Sequence, residues 1–267
     1  MLRLAVRVPR ENAEIVLAEL LTIVPSGVEE VDLGEQIEYA IYGAPGEVPT
    51  LPDLEAVIRG VQVEVSTTEI EDGWEDRWRE FHKPLVVADR LRVRPPWEPA
   101  GSEEHDLVVD PGRAFGTGAH PTTSLCLELL LDVEGRGSLH DLGCGSGVIG
   151  ILAARMGFSP VTAADYDQLA VDATAANAIV NAVDLTVTKS DLRTDPLPEA
   201  DVLVANILAP VLINLAGLMG GWHPRAVILS GILDEQADGV VDAWTPLGYA
   251  ESERRSREGW SALLLQG

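Results

Sequence analysis

The stretch Leu139-His140-Asp141-Leu142-Gly143-Cys144-Gly145-Ser146-Gly147 constrains this chain more than any other. Residues 139–142 read as a short strand running into a turn with glycine at every second position, and residues 148–156 read as the helix that follows. Glycines at that spacing let backbone approach a ligand closely, and a helix start presents free N–H groups. From about residue 106 strand and helix signals alternate. Strands are expected over 161–165, 185–189, 201–207 and 226–229, with helices over 167–180, 209–219 and 234–244. That alternation predicts an α/β domain with a mostly parallel sheet covered on both faces. Residues 249–256 and 259–265 read as a closing hairpin, which predicts one antiparallel edge strand.

Residues 1–66 follow a different plan. Leu2, Leu4, Val6 and Val8 alternate with Arg3, Ala5 and Arg7 up to Pro9, the pattern of a half-buried strand. Asn12 is placed to cap a helix whose apolar stripe is Ile15, Val16, Leu17, Leu20 and Leu21. Short strands over 28–33 and 37–42 flank Gly34. Leu51-Pro52-Asp53 opens a second helix through Ile58, and Val61, Val63 and Val65 alternate in a last strand. The order β-α-β-β-α-β predicts a small ferredoxin-like α+β domain. Residues 67–97 then form a linker. Trp74, Trp78 and Phe81 share one face of a short acidic helix, either docking on a neighbouring domain or meeting a substrate. Residues 85–93 read as a strand or extended segment, and the α/β domain occupies 98–267.

Composition narrows the classes. No apolar run reaches the ~18 residues of a membrane span, and the first residues lack the apolar core of a signal peptide. Cys126 and Cys144 are too few for a disulfide framework or a four-thiolate zinc site. Five scattered histidines form no ligand pair, so no metal is expected. A soluble cytoplasmic protein follows. Its net charge of −24 repels nucleic acid and anionic membrane and attracts basic partners. Residues 1–80 hold 6 Arg, no Lys and 18 acids, a net of −12, so under a third of the chain carries half the excess. Solubility and steering of a basic partner both account for it.

The glycine spacing G-x-G-x-G differs from the G-x-G-x-x-G that seats a pyrophosphate. Asp141, two residues before Gly143, disfavours a phosphate and suits a cationic amine, which favours the methionyl part of S-adenosylmethionine over NAD. Asp165, 22 residues after Gly143, stands where an acid accepts both ribose hydroxyls, or caps the next helix as Asp167 also can. Asp191, followed by Leu192, suits an adenine amino group and ring, or a solvated turn. Asn206 closes the fourth strand in the crevice where open α/β sheets bind ligands. Its carbonyl can accept a hydrogen bond from an attacking amine; a turn-forming Asn is the plainer reading. Upstream, Asp110-Pro111-Gly112-Arg113-Ala114-Phe115-Gly116-Thr117-Gly118-Ala119-His120-Pro121-Thr122-Thr123 opens a helix, with Phe115, Gly116 and Thr117 able to cover a cofactor. His120 has no carboxylate or serine at a recognisable spacing, which favours a structural hydrogen bond over a catalytic base.

Taken together, residues 110–123, 141–147 and Asn206-Ile207-Leu208 resemble the PrmA family, the methyltransferases of large-subunit ribosomal protein L11. The Trp74-Glu75-Asp76-Arg77-Trp78 segment and Ser230-Gly231-Ile232-Leu233 extend the resemblance over nearly the whole chain. It implies a seven-stranded Rossmann-like class I methyltransferase domain behind a ferredoxin-like recognition domain. It implies S-adenosyl-L-methionine contacts at Phe115, Gly116, Thr117, Thr123, Gly143, Gly145, Asp165 and Asn206, with Asn206 as the catalytic acceptor and no dedicated base. The implied reaction methylates lysine ε-amines and the N-terminal α-amine of the basic ribosomal protein, docked on residues 1–66 of a monomer. No nucleic acid or membrane is bound directly. A lysine methyltransferase of another protein, and a non-enzymatic S-adenosylmethionine-binding, ribosome-associated module, are the competing readings. His140 and Tyr166 depart from the family pattern, which favours an apolar residue before Asp141 and a smaller apolar one after Asp165.

Overall fold

The computed structural model describes residues 2–13, 15–17, 20, 28–43, 56–58, 61–69, 82–110, 120–192 and 194–267. The chain divides into two compact units, Met1–Phe81 and His82–Gly267.

The first unit is built on β1 (Leu2–Pro9), β2 (Glu29–Asp32), β3 (Gln36–Gly43), β4 (Ala56–Ile58) and β5 (Val61–Glu69), in the sheet order β2-β3-β1-β5-β4. Every pairing is antiparallel. The period-2 alternation of β1 turns Leu4, Val6 and Val8 onto Ile37, Tyr39, Ile41, Val63 and Val65, and helical Val16 and Leu20 close the core. Three expectations need correction. Asn12 closes a 3-10 turn over Arg10–Asn12 that begins directly after Pro9, so helical backbone starts ahead of the expected cap. Ile15 is exposed, not part of the inner stripe. Ala56–Ile58 is a strand paired to β5, not the end of a helix; three residues with two β-branched side chains suit a sheet edge better. β5 also runs past residue 66 to Glu69. The Trp74, Trp78 and Phe81 helix lies outside the described residues.

In the second unit β6 (Leu85–Val87), β7 (Leu91–Arg94) and β8 (His105–Val108) make a small sheet of their own. Residues 85–93 therefore form a hairpin rather than one extended segment, turning where Ala88 and Asp89 take φ of 49 and 53°. The main sheet has seven strands: β9 (Leu139–Leu142), β10 (Val161–Asp165), β11 (Thr186–Lys189), β12 (Val202–Asn206), β13 (Ala226–Leu233), β14 (Ala250–Arg257) and β15 (Trp260–Gln266). Their order is β11-β10-β9-β12-β13-β15-β14. The helices are α1 (Pro121–Asp132), α2 (Val148–Arg155), α3 (Gln168–Val180), α4 (Ala209–Leu218) and α5 (Ala237–Trp244).

Strands buried on both faces read as apolar runs, and β12 shows why. Val202 and Val204 pack with Leu125, Leu129, Ile151 and Leu152 of α1 and α2. Leu203 and Ala205 pack on the other face with Leu212, Leu215, Val240 and Trp244 of α4 and α5. The antiparallel strand is not at the edge, as the hairpin alone implied. β15 inserts between β13 and β14 and runs antiparallel to both, so edge strand β14 points the same way as the parallel core. Strand order reverses between β9 and β12, and the crevice beyond their carboxyl ends is where such sheets bind ligands.

Candidate functional site

The glycine turn is a strained bend that only glycine adopts cheaply. Gly143, Gly145 and Gly147 have φ of 70, 53 and 80°. A Cβ on Gly143 would sit 2.5 Å from Ile207 Cγ2, and one on Gly147 2.6 Å from Thr174 Cγ2, so the loop is packed from both flanks. Its N–H groups are largely committed within the protein. Those of Gly143 and Cys144 donate to Ala164 O at 2.8 and 3.1 Å, that of Gly145 to Asp165 Oδ2 at 3.0 Å, and that of Gly147 to Cys144 O at 2.8 Å. The loop therefore serves a ligand by close backbone approach more than by free donors.

Asp165 ends β10 with 8% of its surface exposed. Oδ1 accepts from Asp167 N and Oδ2 from Gly145 N, each at 3.0 Å. Asp167 is the N-cap of α3, accepting from Leu169 N, which leaves the remaining lone pairs of Asp165 to the crevice. Asp191 begins a short turn, its N–H donating to Asp195 Oδ2 at 2.9 Å, and Leu192 packs into the core beside it. Ser190 N donates to Asp165 O at 2.9 Å, which ties that turn to the end of β10.

Asn206 ends β12, half-buried, and donates from Nδ2 to Thr123 Oγ1 at 3.1 Å. A planar carboxamide whose nitrogen faces α1 turns its oxygen the other way. Thr123 lies in the first turn of α1, whose N-cap is His120: Nδ1 accepts from Thr122 N at 3.3 Å and lies 2.8 Å from Thr122 Oγ1. Burial holds the His120 imidazole below its ordinary range, and Trp260 stacks edge-on 5.2 Å away. Phe115, Gly116 and Thr117 lie outside the described residues.

Asp141 has no exposed surface: strand alternation puts it on the face of Leu139, where Oδ2 accepts from Gly150 N while Oδ1 has no hydrogen-bond partner among the described residues. Burial lifts its carboxyl to about 7. It braces α2 from under the loop. Burial likewise raises both cysteine thiols, leaving no thiolate nucleophile at neutral pH.

One set of residues escaped the sequence reading. Thr174, Asn177 and the C-cap Asn181 form a buried polar row along α3 and its end. Thr174 Oγ1 donates to Gly145 O at 2.9 Å, and Asn177 Nδ2 to Ser146 O at 2.9 Å while its Oδ1 accepts from Asp110 N at 3.1 Å. Asn181 takes Val108 N at 2.9 Å. The available signal was polar residues three and four apart within an otherwise Ala-rich helix.

A family model described as ribosomal protein L11 methyltransferase (PrmA) matches residues 45–267. The chain belongs to the PrmA family. Among relatives named ribosomal protein L11 methyltransferase, that of Heliobacterium modesticaldum is 41% identical over 201 residues, covering 73% of this chain and 64% of its own. That of Pelotomaculum thermopropionicum is 40% identical over 218 residues, covering 79% and 71%. The match thus spans about two thirds of each relative's length. A solved ribosomal protein L11 methylase from Lactobacillus delbrueckii subsp. bulgaricus superposes with a TM-score of 0.63 at 26% identity, over 69% of this chain and 98% of that one. A Pyrococcus abyssi tRNA (uracil-54, C5)-methyltransferase shares the fold, with a TM-score of 0.50 at 18% identity over 60% and 42% of the two chains. The seven-stranded sheet of this PrmA family member is that of class I methyltransferases.

Proposed function

We propose that this chain transfers methyl groups from S-adenosyl-L-methionine to amines of ribosomal protein L11, both lysine ε-amines and the N-terminal α-amine. The observation that carries the reading is the Asn206 carboxamide, tethered by its nitrogen to Thr123 and leaving its oxygen as an acceptor at the end of β12. The residues around it fit the cofactor. Glycines packed against side chains allow close backbone approach, Asp165 keeps free lone pairs for vicinal hydroxyls, and Asp191 with Leu192 stands beside it for an adenine. When bound, S-adenosylmethionine supplies a methyl group already activated on a sulfonium.

The chain's own residues have the task of placing a neutral amine. A free lysine has a pKa of about 10.4, and a desolvating crevice lowers it. Asn206 Oδ1 accepts one N–H and thereby aims the nitrogen lone pair. No dedicated base is required, because the proton leaves to water between rounds. The acidic residues 1–66 are the docking face for a basic ribosomal protein, and the enzyme works as a cytoplasmic monomer without metal and without binding nucleic acid or membrane itself.

The test is incubation with methyl-labelled S-adenosylmethionine and ribosomal proteins from a methylation-deficient strain. Label on lysines and the α-amine of L11 supports the reading. Label on a different protein transfers the function to that substrate, and cofactor binding without transfer to any protein contradicts an enzyme.

A further inference from the structure

We infer that Ser230, which lies at neither ligand position, is a positioning residue that fixes the Asn206 carboxamide for the incoming amine. The inference rests on the reading of Asn206 as the acceptor. Ser230 pairs with Asn206 in the parallel register of β12 and β13, at the start of an irregularity between Leu229 and Ile232. It is fully buried, and it binds in two directions. Its carbonyl accepts from Ile207 N at 3.1 Å, holding the residue after Asn206. Its hydroxyl donates to Thr122 O at 2.9 Å, holding the residue before Thr123. Asn206 Nδ2 then donates to Thr123 Oγ1 at 3.1 Å and closes a ring through Asn206, Thr123, Thr122, Ser230 and Ile207.

The ring sets where Thr123 Oγ1 stands, and with it the plane of the Asn206 carboxamide. The terminal torsion of a carboxamide is soft, and a half-turn exchanges the acceptor oxygen for a donor nitrogen. With Nδ2 on Thr123 Oγ1, the orientation in the structure is the one that offers an attacking amine a hydrogen-bond acceptor. The backbone around the ring has little room to drift. Gly231 takes φ of +82°, and a Cβ there would lie 2.5 Å from Ile207 O, while Ile207 Cγ2 lies 2.5 Å from where Gly143 would carry a Cβ. Ile207 is wedged between two glycines, and Ser230 joins that wedge to the first turn of α1.

The experiment uses the full chain with Ser230→Ala. As a matched control, Ser261→Ala removes an equally buried hydroxyl that bonds Asp234 and Ser256; Ser261 meets the Ser230 hydroxyl through its backbone carbonyl, at 3.4 Å, which the substitution keeps. Four quantities are read: kcat, the number of methyl groups per amine, affinity for S-adenosylhomocysteine, and hydrogen exchange of the Asn206 side-chain amide by NMR. Ser230→Ala should lower kcat about tenfold, shift products toward fewer methyl groups and speed exchange of the Asn206 amide. Its S-adenosylhomocysteine affinity should stay within twofold, and Ser261→Ala should leave all four readouts near wild type. If Ser230→Ala does not fold, Ser230→Cys keeps the volume with a weak donor and is read the same way. Wild-type kcat and amide exchange in the Ser230 variant overturn the proposal, as does an equal loss in Ser261→Ala or a parallel loss of S-adenosylhomocysteine binding. Failure of the underlying reading looks different: Asn206→Ala would itself keep full kcat with S-adenosylhomocysteine binding intact.

Discussion

His140 and Asp141, adjacent on β9, face opposite sides of the sheet and titrate in opposite senses. Burial holds the His140 imidazole down from 6.5 to about 4, with Nδ1 2.6 Å from Thr162 Oγ1 and Nε2 without a partner among the described residues. Between those values the unfolded chain binds the extra proton, so this residue makes stability fall as pH falls. Burial lifts Asp141 from 3.8 to about 7, so across that window the folded chain holds the extra proton and stability falls as pH rises. Each effect is on the order of 3 kcal/mol when complete, and in wild type the two slopes largely cancel. Denaturant titrations between pH 4 and 7 should separate them. His140→Leu should lose stability with rising pH, and Asp141→Asn, which keeps an acceptor for Gly150 N, should lose it with falling pH. Parallel curves for the two variants would contradict the assignment. The sequence displayed Asp141 as an acid beside a glycine loop. Its burial was legible only through the alternation that groups it with Leu139.

At the scale of elements, the buried polar row of α3 fastens the glycine loop. Asn177→Ala removes the bonds to Ser146 O and Asp110 N, at a cost of about 2 kcal/mol. It should also weaken S-adenosylhomocysteine binding measurably by calorimetry. Asn181→Ala, which lets go of Val108, should cost comparable stability and leave that affinity unchanged. Gly147→Ala adds left-handed strain of about 1–2 kcal/mol and a contact with Thr174, and should weaken the same binding. Elements with a local signature were readable beforehand: the apolar run of β12, and Asp167 ahead of α3. Residues 56–58 were not, because three apolar residues fit a helix end or a strand equally until a partner strand decides. The position of β15 was not either. Which neighbour a hairpin strand joins is set by the whole sheet, and no stretch of residues 249–266 encodes it alone.

Over the whole molecule, the charge of −24 falls equally on residues 1–80 and on the remainder, although the first segment is under half as long. If that segment meets a basic protein, its field acts on encounter and is screened beyond ~10 Å at 0.1 M salt. Neutralising several acids in residues 1–80 should lower kcat/KM at low ionic strength, with the difference shrinking as salt rises. Neutralising as many acids after residue 98 should have a smaller effect, and equal effects would remove the steering role. Asp165 and Asn206 end β10 and β12, and Asp191 follows β11, so all three stand after strands as the alternation of strand and helix signals led one to expect. The bond from Asn206 to Thr123 depends on α1 crossing to the end of β12, which no local pattern reports.

The most direct measurement compares wild type with Asn206→Ala for transfer of labelled methyl groups to ribosomal protein L11, alongside S-adenosylhomocysteine affinity. In Asn206→Ala kcat should fall by about 10–100-fold, the worth of one well-placed acceptor, with affinity changed far less. An Asn206→Ala enzyme with full kcat and an unchanged set of methylated amines would contradict it.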